Sequence, residues 1–264
     1  MSPYQNLLTE IDRGVGIIPL GRPDRHNAFD DVTIVEMIHA LGVLETDSAV
    51  RVIVISSTGK SFSAGADLNW MQRVAGYDAD ENLRDARALA EMLRRIAQCS
   101  KPVIARVQGA AYGGGVGVIA ACDIAIATFD AQFALTEVKL GIIPSAISPH
   151  VIAAIGERHA RRYMLTAERF SASEAYRLGL VHEIVHDELA LDDAIGDLIE
   201  SLLKNGPDAM AECKQLIGAV ASRPLSEELI EETAQRIARV RATPEAQEGM
   251  AAFLAKRKPS WVGE

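Results

Sequence analysis

Gly109-Ala110-Ala111-Tyr112-Gly113-Gly114-Gly115-Val116-Gly117 is the stretch from which the fold is read. The apolar run Val103 to Val107 before it has the composition of a strand, and Val116 to Ala121 after it reads as a helix. A glycine turn between the two lets main-chain N–H groups come close to whatever lies above it, because no side chain intervenes. The helix start adds N–H groups that lack intrahelical acceptors, together with the positive end of the dipole. Such a turn suits negative charge developing on an oxygen. Taken alone, three glycines read first as a tight packing turn; two further segments change that reading.

The first lies upstream: Ser61-Phe62-Ser63-Ala64-Gly65-Ala66-Asp67-Leu68, a second run of small residues that exposes backbone. The other lies downstream: Phe133-Ala134-Leu135-Thr136-Glu137-Val138-Lys139-Leu140-Gly141, which carries one carboxylate among apolar neighbours. An apolar setting raises a carboxyl pKa toward neutrality, where a general acid/base works best. N–H groups from two separate loops can hold an oxyanion while such a group moves protons. A lone glutamate would otherwise be read as a helix cap or a surface charge.

These segments, in this order, resemble the enoyl-CoA hydratase/isomerase (crotonase) superfamily, and within it the bacterial methylglutaconyl-CoA hydratases. The resemblance runs from about Tyr4 to Trp261. It implies an α/β fold, a crotonase-like spiral of ββα units with a C-terminal helical region used for trimerisation. It assigns the oxyanion N–H groups to Ala66 and Gly114 and the acid/base to Glu137. Ser63, Ala64, Ala66, Asp67 and Leu68, with Gly113 beside them, match the adenine-contacting loop and its surroundings. Arg25, His26 and Ala28, in Arg22-Pro23-Asp24-Arg25-His26-Asn27-Ala28-Phe29, match the pantetheine and phosphate loop, although Arg25 also reads as a solvated charge. Lys256-Arg257-Lys258-Pro259-Ser260-Trp261 is a basic cluster that in the family can cover the nucleotide of CoA; it reads equally as a solvated tail.

The chain departs from the family pattern twice. The family's other catalytic glutamate belongs two residues after the glycine triplet, where this chain has Gly117. Ser145-Ala146-Ile147-Ser148-Pro149 replaces a glycine-rich stretch, which is expected to reshape the acyl pocket. One carboxylate can still serve both proton transfers of a syn addition, and the resembled hydratases share a small residue at this position. The expected activity is therefore hydration or dehydration across the Cα–Cβ bond of a branched or dicarboxylic enoyl-CoA, with 3-methylglutaconyl-CoA of leucine breakdown as the type. A double-bond isomerase needs only one base and is the alternative, followed by a non-catalytic acyl-CoA-binding paralogue. No separate cofactor is expected, since CoA belongs to the substrate. Tyr112, beside the glycine turn, can hydrogen-bond a substrate or simply pack.

Composition sets the remaining bounds. A net charge of −9 over 264 residues argues against nucleic acid or an anionic membrane as the main partner. Cys99, Cys122 and Cys213 are far apart and lack metal-ligand spacing, which points to reduced thiols and a cytoplasmic protein. Val116 to Ala127, broken by Asp123, is well short of the ~20 apolar residues a membrane helix needs. His182-Glu183-Ile184-Val185-His186 has the letters of a zinc-protease helix, yet Ile184 and Val185 favour a strand, which would hold the two imidazoles roughly 13 Å apart. Gly59-Lys60-Ser61 lacks the earlier glycine of a nucleotide-binding P-loop, and no G-x-S-x-G elbow is present.

The expected elements are strands over 4–11 and 14–20, a helix from Asp30 or Asp31 to about Glu45, a strand from Arg51 to Ser56, and a helix over 79–98. Strands follow at Val103–Val107 and Asp123–Thr128, and another at Leu180–Val185. Helices are expected near 149–155, 157–166, 173–178, 188–204, 207–221, 226–242 and 244–255. Residues 1–200 form the core that carries the site and 201–264 the helical region, which implies a homotrimer or a dimer of trimers by resemblance.

Overall fold

Each turn of the chain lays one strand into a large sheet, one short strand into a small sheet, and then a helix across them. The computed structural model describes residues 3–263. An antiparallel pair, β1 (Glu10–Asp12) and β2 (Val15–Leu20), leads into α1 (Asp31–Thr46). The first full turn is β3 (Val52–Ser57), β4 (Ser61–Ser63), α2 (Leu68–Val74) and α3 (Ala79–Gln98). The second is β5 (Val103–Val107), β6 (Ala110–Tyr112) and α4 (Gly114–Ala121). The third is β7 (Ile124–Thr128), β8 (Gln132–Ala134), a 3-10 turn at Glu137–Leu140 and α5 (Ser148–Thr166). Then come β9 (Phe170–Ser171), α6 (Ala172–Leu178), β10 (Glu183–Val185) and α7 (Glu188–Leu203). The large sheet runs β1-β2-β3-β5-β7-β10 and the small one β4-β6-β8-β9. All pairings are parallel except β1 with β2 and β8 with β9. This is the spiral of ββα units that the resemblance implies.

The strand composition follows from double burial. Along β3, Ile53 and Ile55 enter the main core while Val52 and Val54 enter a second cluster on the opposite face. Successive strand residues point to opposite sides, so a strand covered on both faces reads as unbroken Val/Ile. Leu191 and Ile195 of α7 close the second face. In the small sheet Phe62, Ala111, Phe133 and Phe170 all enter the main core.

Several expectations are corrected. The strand expected over 4–11 shrinks to Glu10–Asp12 plus a bridge from Leu7 to Leu20, because the Gln5 and Asn6 N–H groups bond the Glu36 carboxylate (2.7 and 2.9 Å) instead of a ladder. The strand expected from Leu180 begins only at Glu183, since the Leu180 and Val181 N–H groups still bond Ala175 O at the end of α6. The helices expected at 149–155 and 157–166 join into α5, kinked at Gly156 (φ 74°). The small-sheet strands and α2 were not expected; strands of three residues are too short for a period of two to register. Asp30, rather than Asp31, caps α1, its side chain accepting from Thr33 N at 2.8 Å.

The division expected at 200 falls inside α7, which runs on to Leu203 before Gly206-Pro207 breaks the chain. Beyond it, α8 (Pro207–Val220), α9 (Glu227–Arg241) and α10 (Pro244–Leu254) lie within a residue or two of their expected bounds. Lys214 of α8 anchors this region, its ammonium donating to Asp123 (2.6 Å) and to Lys101 O (2.9 Å). The tail is tied back at two points while Lys256, Arg257 and Lys258 stay exposed: Arg257 pairs with Glu248 at 2.6 Å, and the Trp261 indole donates to Lys204 O at 3.1 Å. No helix among the described residues is long and apolar enough to cross a membrane. The His182–His186 segment is extended around β10, with His182 Nδ1 accepting from Ala125 N at 3.1 Å.

One partly buried cation ties the N-terminal loop to the start of α2. Arg22 donates to Asp30 and Asp67, both at 2.8 Å, and to Ala28 O at 3.0 Å. The Asp67 carboxyl is only 4% exposed. Burial alone would raise its pKa, but the Trp70 and Asn69 N–H groups and the Arg22 guanidinium more than offset that and lower it. Removing the cation strands two partly buried carboxylates. Arg22→Met is expected to lower the unfolding free energy by about 3 kcal/mol, measured by urea denaturation. Because the folded Asp67 pKa is depressed, its contribution is present above the unfolded carboxylate pKa and fades as pH falls through the folded one.

Candidate functional site

The loops that leave the C-terminal ends of β4, β6 and β8 meet at one end of the small sheet. Residues 26–29 fasten the first of them. Ala64 N donates to His26 O (2.9 Å), Phe29 N to Gly65 O (2.7 Å) and Asp67 N to Phe29 O (2.8 Å), so Phe29 and Ala66 form a parallel bridge. The second loop lies directly against the first. A Cβ on Gly65 (φ +90°) would stand 3.1 Å from Tyr112 O, and one on Gly115 would stand 2.9 Å from the Ser63 Cβ. These contacts flank Ala66 and Gly114, and the Phe29 ring lies 3.7 Å from where a Gly114 side chain would start. Neither the Ala66 N–H nor the Gly114 N–H has an acceptor among the described residues. Gly114 is the first residue of α4, so its N–H also stands at the positive end of that helix.

Glu137 opens the 3-10 turn that follows β8. The third loop is held by Gly113 N donating to Ala134 O at 2.9 Å. Gly113 has φ +48°, and a Cβ there would stand 3.0 Å from Glu137 Oε1. The carboxyl therefore lies over the glycine turn, beside Gly114. Its Oε2 is buried without any hydrogen-bond partner. Desolvation raises the Glu137 pKa, only partly opposed by its own backbone N–H. A largely desolvated carboxyl, one oxygen of which has no partner among the described residues, lying over a glycine turn with a free N–H, is equipped to accept and return a proton beside a stabilised oxyanion.

Position 117 explains both departures noted in the sequence. A Cβ on Gly117 would lie 2.2 Å from Ile147 Cγ2 and 2.7 Å from Ile147 Cβ. Ile147 is 2% exposed and sits immediately before α5. The segment that replaces the glycine-rich stretch thus places a branched apolar side chain where a residue at 117 would project. Gly117 N bonds Gly113 O, so the two positions stand one helical turn apart on α4. At one of them the neighbour is Glu137, and at the other it is Ile147. Of the two positions flanking this turn of α4, one faces a carboxylate and the other a hydrocarbon wall.

The remaining expected residues are gathered around the same loops, in different states. Arg25 and His26 are exposed, with His26 Nδ1 at 3.1 Å from Ser61 Oγ, while Ala28 is buried. Ser63 is fully buried against Gly115, so it acts within the protein rather than on a ligand. Ala64 and Ala66 are exposed and Leu68 is 72% exposed, leaving open backbone and one apolar side chain. The Asp67 carboxylate is engaged with Arg22 and with the first turn of α2, and has no face free for a ligand. Arg22 and Asn27 were not singled out by the sequence reading. Asn27 donates to Thr58 O and Ser61 O, both at 2.8 Å, and accepts from Arg22 N. The signal for them was an arginine and an asparagine flanking the loop that the oxyanion loop must grip.

Comparison with known proteins gives a consistent picture. The enoyl-CoA hydratase/isomerase family model matches residues 10–264. The crystal structure of an enoyl-CoA hydratase from Shewanella pealeana superposes with a TM-score of 0.96 at 44% identity, over 98% of this chain and 97% of that one. The 2,3-dehydroadipyl-CoA hydratase of Escherichia coli is 31% identical over 97% of this chain and 98% of its own length. The crotonyl-CoA hydratase of Syntrophomonas wolfei is 31% identical over 99% of both chains.

Two outcomes follow from this geometry. Gly117→Ala is expected to destabilise the parent by roughly 1–3 kcal/mol through overpacking, yet to stabilise an Ile147→Gly background by up to about 1 kcal/mol through helix propensity, because there the nearest remaining atom is the Cα of residue 147 at 3.7 Å. Thermal unfolding of the four proteins reads that reversal of sign. The folded Glu137 pKa lies above its unfolded value, so ionisation costs stability as pH rises between the two. Glu137→Gln should therefore gain melting temperature over the parent as pH goes from about 4 to about 8.

Proposed function

The chain belongs to the enoyl-CoA hydratase/isomerase family, and we propose that it adds water across, or removes it from, the Cα–Cβ bond of an enoyl-CoA thioester. Its substrate on this reading is a branched or dicarboxylic acyl group, with 3-methylglutaconyl-CoA as the best fit and leucine breakdown as the setting. The Ala66 and Gly114 N–H groups hold the thioester oxygen as it gains negative charge. Glu137 takes a proton from water while the water oxygen bonds to Cβ. The same carboxyl then delivers that proton to Cα on the same face, and the enolate collapses to the saturated thioester. The proton and the hydroxyl both come from one water, and the glutamate ends as it began.

The observation that carries this reading is the buried Glu137 Oε2, without a hydrogen-bond partner among the described residues, beside the Gly113–Gly114 turn. A buried carboxylate with no partner is costly, and such a group is retained where it does chemistry. Ile147 fills the space into which a side chain at 117 would project, which supports a reading in which one group handles both protons. Two hydratases among the relatives, one of them acting on a dicarboxylic thioester by its name, support the hydratase reading. A single base also suits a double-bond isomerase. Reaction in ¹⁸O-labelled water separates the two, since only hydration fixes solvent oxygen in the product.

CoA would lie along the Arg25–Ala28 loop and the exposed backbone of Ala64 and Ala66, with Leu68 beside them. Leu225, Phe253 and Leu254 are at least 80% exposed on the C-terminal helical region. Homotrimer formation, or a dimer of trimers, would cover such side chains.

Glu137→Gln is expected to lower kcat for hydration by about 10²- to 10⁴-fold while acyl-CoA affinity changes only a few-fold. Steady-state rates together with equilibrium binding of a saturated acyl-CoA measure both. An undiminished rate in that variant would remove Glu137 from the mechanism.

A further inference from the structure

A substrate with a distal carboxylate needs a cation near the acyl end of the site, and the small sheet supplies one. β4, β6 and β8 are parallel, so their C-terminal ends all deliver loops to the same edge of the site. β9 is antiparallel to β8, which brings its entry residue, not its exit, to that end. That residue is Arg169. Tyr112 pairs with Ala134, and continuing the Phe133–Phe170 register places Arg169 opposite Ala134. Ala111, Phe133 and Phe170 point into the core, so their neighbours Tyr112 and Arg169 point to the other face. There the Arg169 guanidinium lies over the Tyr112 ring, 5.4 Å from its centroid.

Both polar groups are uncommitted. Three of the neighbouring arginines on α5 and α6 hold a carboxylate: Arg161 with Glu157, Arg162 with Glu168 and Arg177 with Glu174, at 2.6 to 2.7 Å, whereas Arg158 on α5 is exposed and holds none among the described residues. Arg169 has no such partner among the described residues, and the Tyr112 hydroxyl has no hydrogen bond there. Tyr112 is two residues from Gly114, so their Cα atoms are within about 7.6 Å. A glutaconyl group separates its thioester carbonyl from its distal carboxylate by roughly 5 Å at ordinary bond lengths.

The geometry points to Arg169, with Tyr112, as the subsite that binds the distal carboxylate of a dicarboxylic acyl-CoA. The guanidinium offers a planar, permanently charged fork to the carboxylate, and the Tyr112 ring fixes its orientation from below. The phenol hydroxyl is the second donor. This inference rests on the hydratase reading above for its placement of the thioester oxygen at Gly114.

Two measurements on the full-length protein test it. Kd values for glutaryl-CoA and butyryl-CoA, saturated analogues with and without the carboxylate, are taken for the parent, Arg169→Met and Tyr112→Phe. Hydration of 3-methylglutaconyl-CoA and crotonyl-CoA is assayed alongside. The expected result is a glutaryl-CoA Kd weakened roughly 30-fold or more in Arg169→Met and about 10-fold or less in Tyr112→Phe. Butyryl-CoA affinity and crotonyl-CoA turnover should stay within about 3-fold of the parent. Parallel loss for both analogues, or no loss for either, overturns the subsite. If 3-methylglutaconyl-CoA is hydrated and Arg169→Met is silent, the subsite fails while the substrate assignment stands. If glutaryl-CoA binds through Arg169 but only crotonyl-CoA is hydrated, the subsite stands and the substrate assignment fails.

Discussion

Contact between two backbones is the constraint on which the site depends. The loop after β4 and the turn before α4 approach so closely that neither Gly65 nor Gly115 can carry a side chain without displacing the other loop. That approach sets Ala66 and Gly114 side by side with their N–H groups unpaired. It is held from behind by hydrogen bonds rather than by side-chain packing alone: residues 26–29 clamp the first loop, and Ala134 clamps the second. Arg22 fastens the clamp by bridging Asp30 and Asp67, which also cap the two helices that leave this region. The donors are fixed before any ligand arrives, which is the condition under which such groups lower a barrier without reorganising.

The electrostatics of the cavity are lopsided. Two donors and a helix start face one carboxyl that lacks a counter-charge, and Ile147 closes the side from which another acidic group would approach. A carboxyl in this position gains little from staying ionised, which is why its pKa rises. On the proposed mechanism, the same imbalance suits it to release a proton to carbon once an enolate has formed nearby. Sequence comparison presents the missing glutamate and the altered stretch after Pro144 as separate oddities. In the structure they are one event, because the volume given up at 117 is filled from 147.

Much of this was legible in the chain. The glycine turn, the Ser-Ala-Gly-Ala-Asp run and Glu137 were recognisable because backbone exposure and an isolated carboxylate leave compositional marks. The long amphipathic helices and the buried strands of the large sheet were also visible in their periodicity. The small sheet was not: strands of two or three residues carry too little pattern, and their existence depends on neighbours far away in sequence. For the same reason Ile147 could be noted as unusual but not matched to Gly117, thirty residues earlier. Asp67 shows the converse limit. Its place in a ligand-binding motif was readable, whereas its engagement with Arg22, across 45 positions, emerges only in three dimensions.

The reversed direction of β9 has one more implication. Three parallel strands supply the loops that, on the proposed function, handle the thioester, and the contacts at Gly65 and Gly115 leave their spacing little room for change. The returning strand arrives from a separate helix, through a short connection after Ala167, and reaches the second loop through Arg169 over the Tyr112 ring. Relatives could therefore exchange one acyl preference for another by altering that single connection, leaving the machinery for bond rearrangement intact. The architecture divides a heritable constant from a variable that selection can tune.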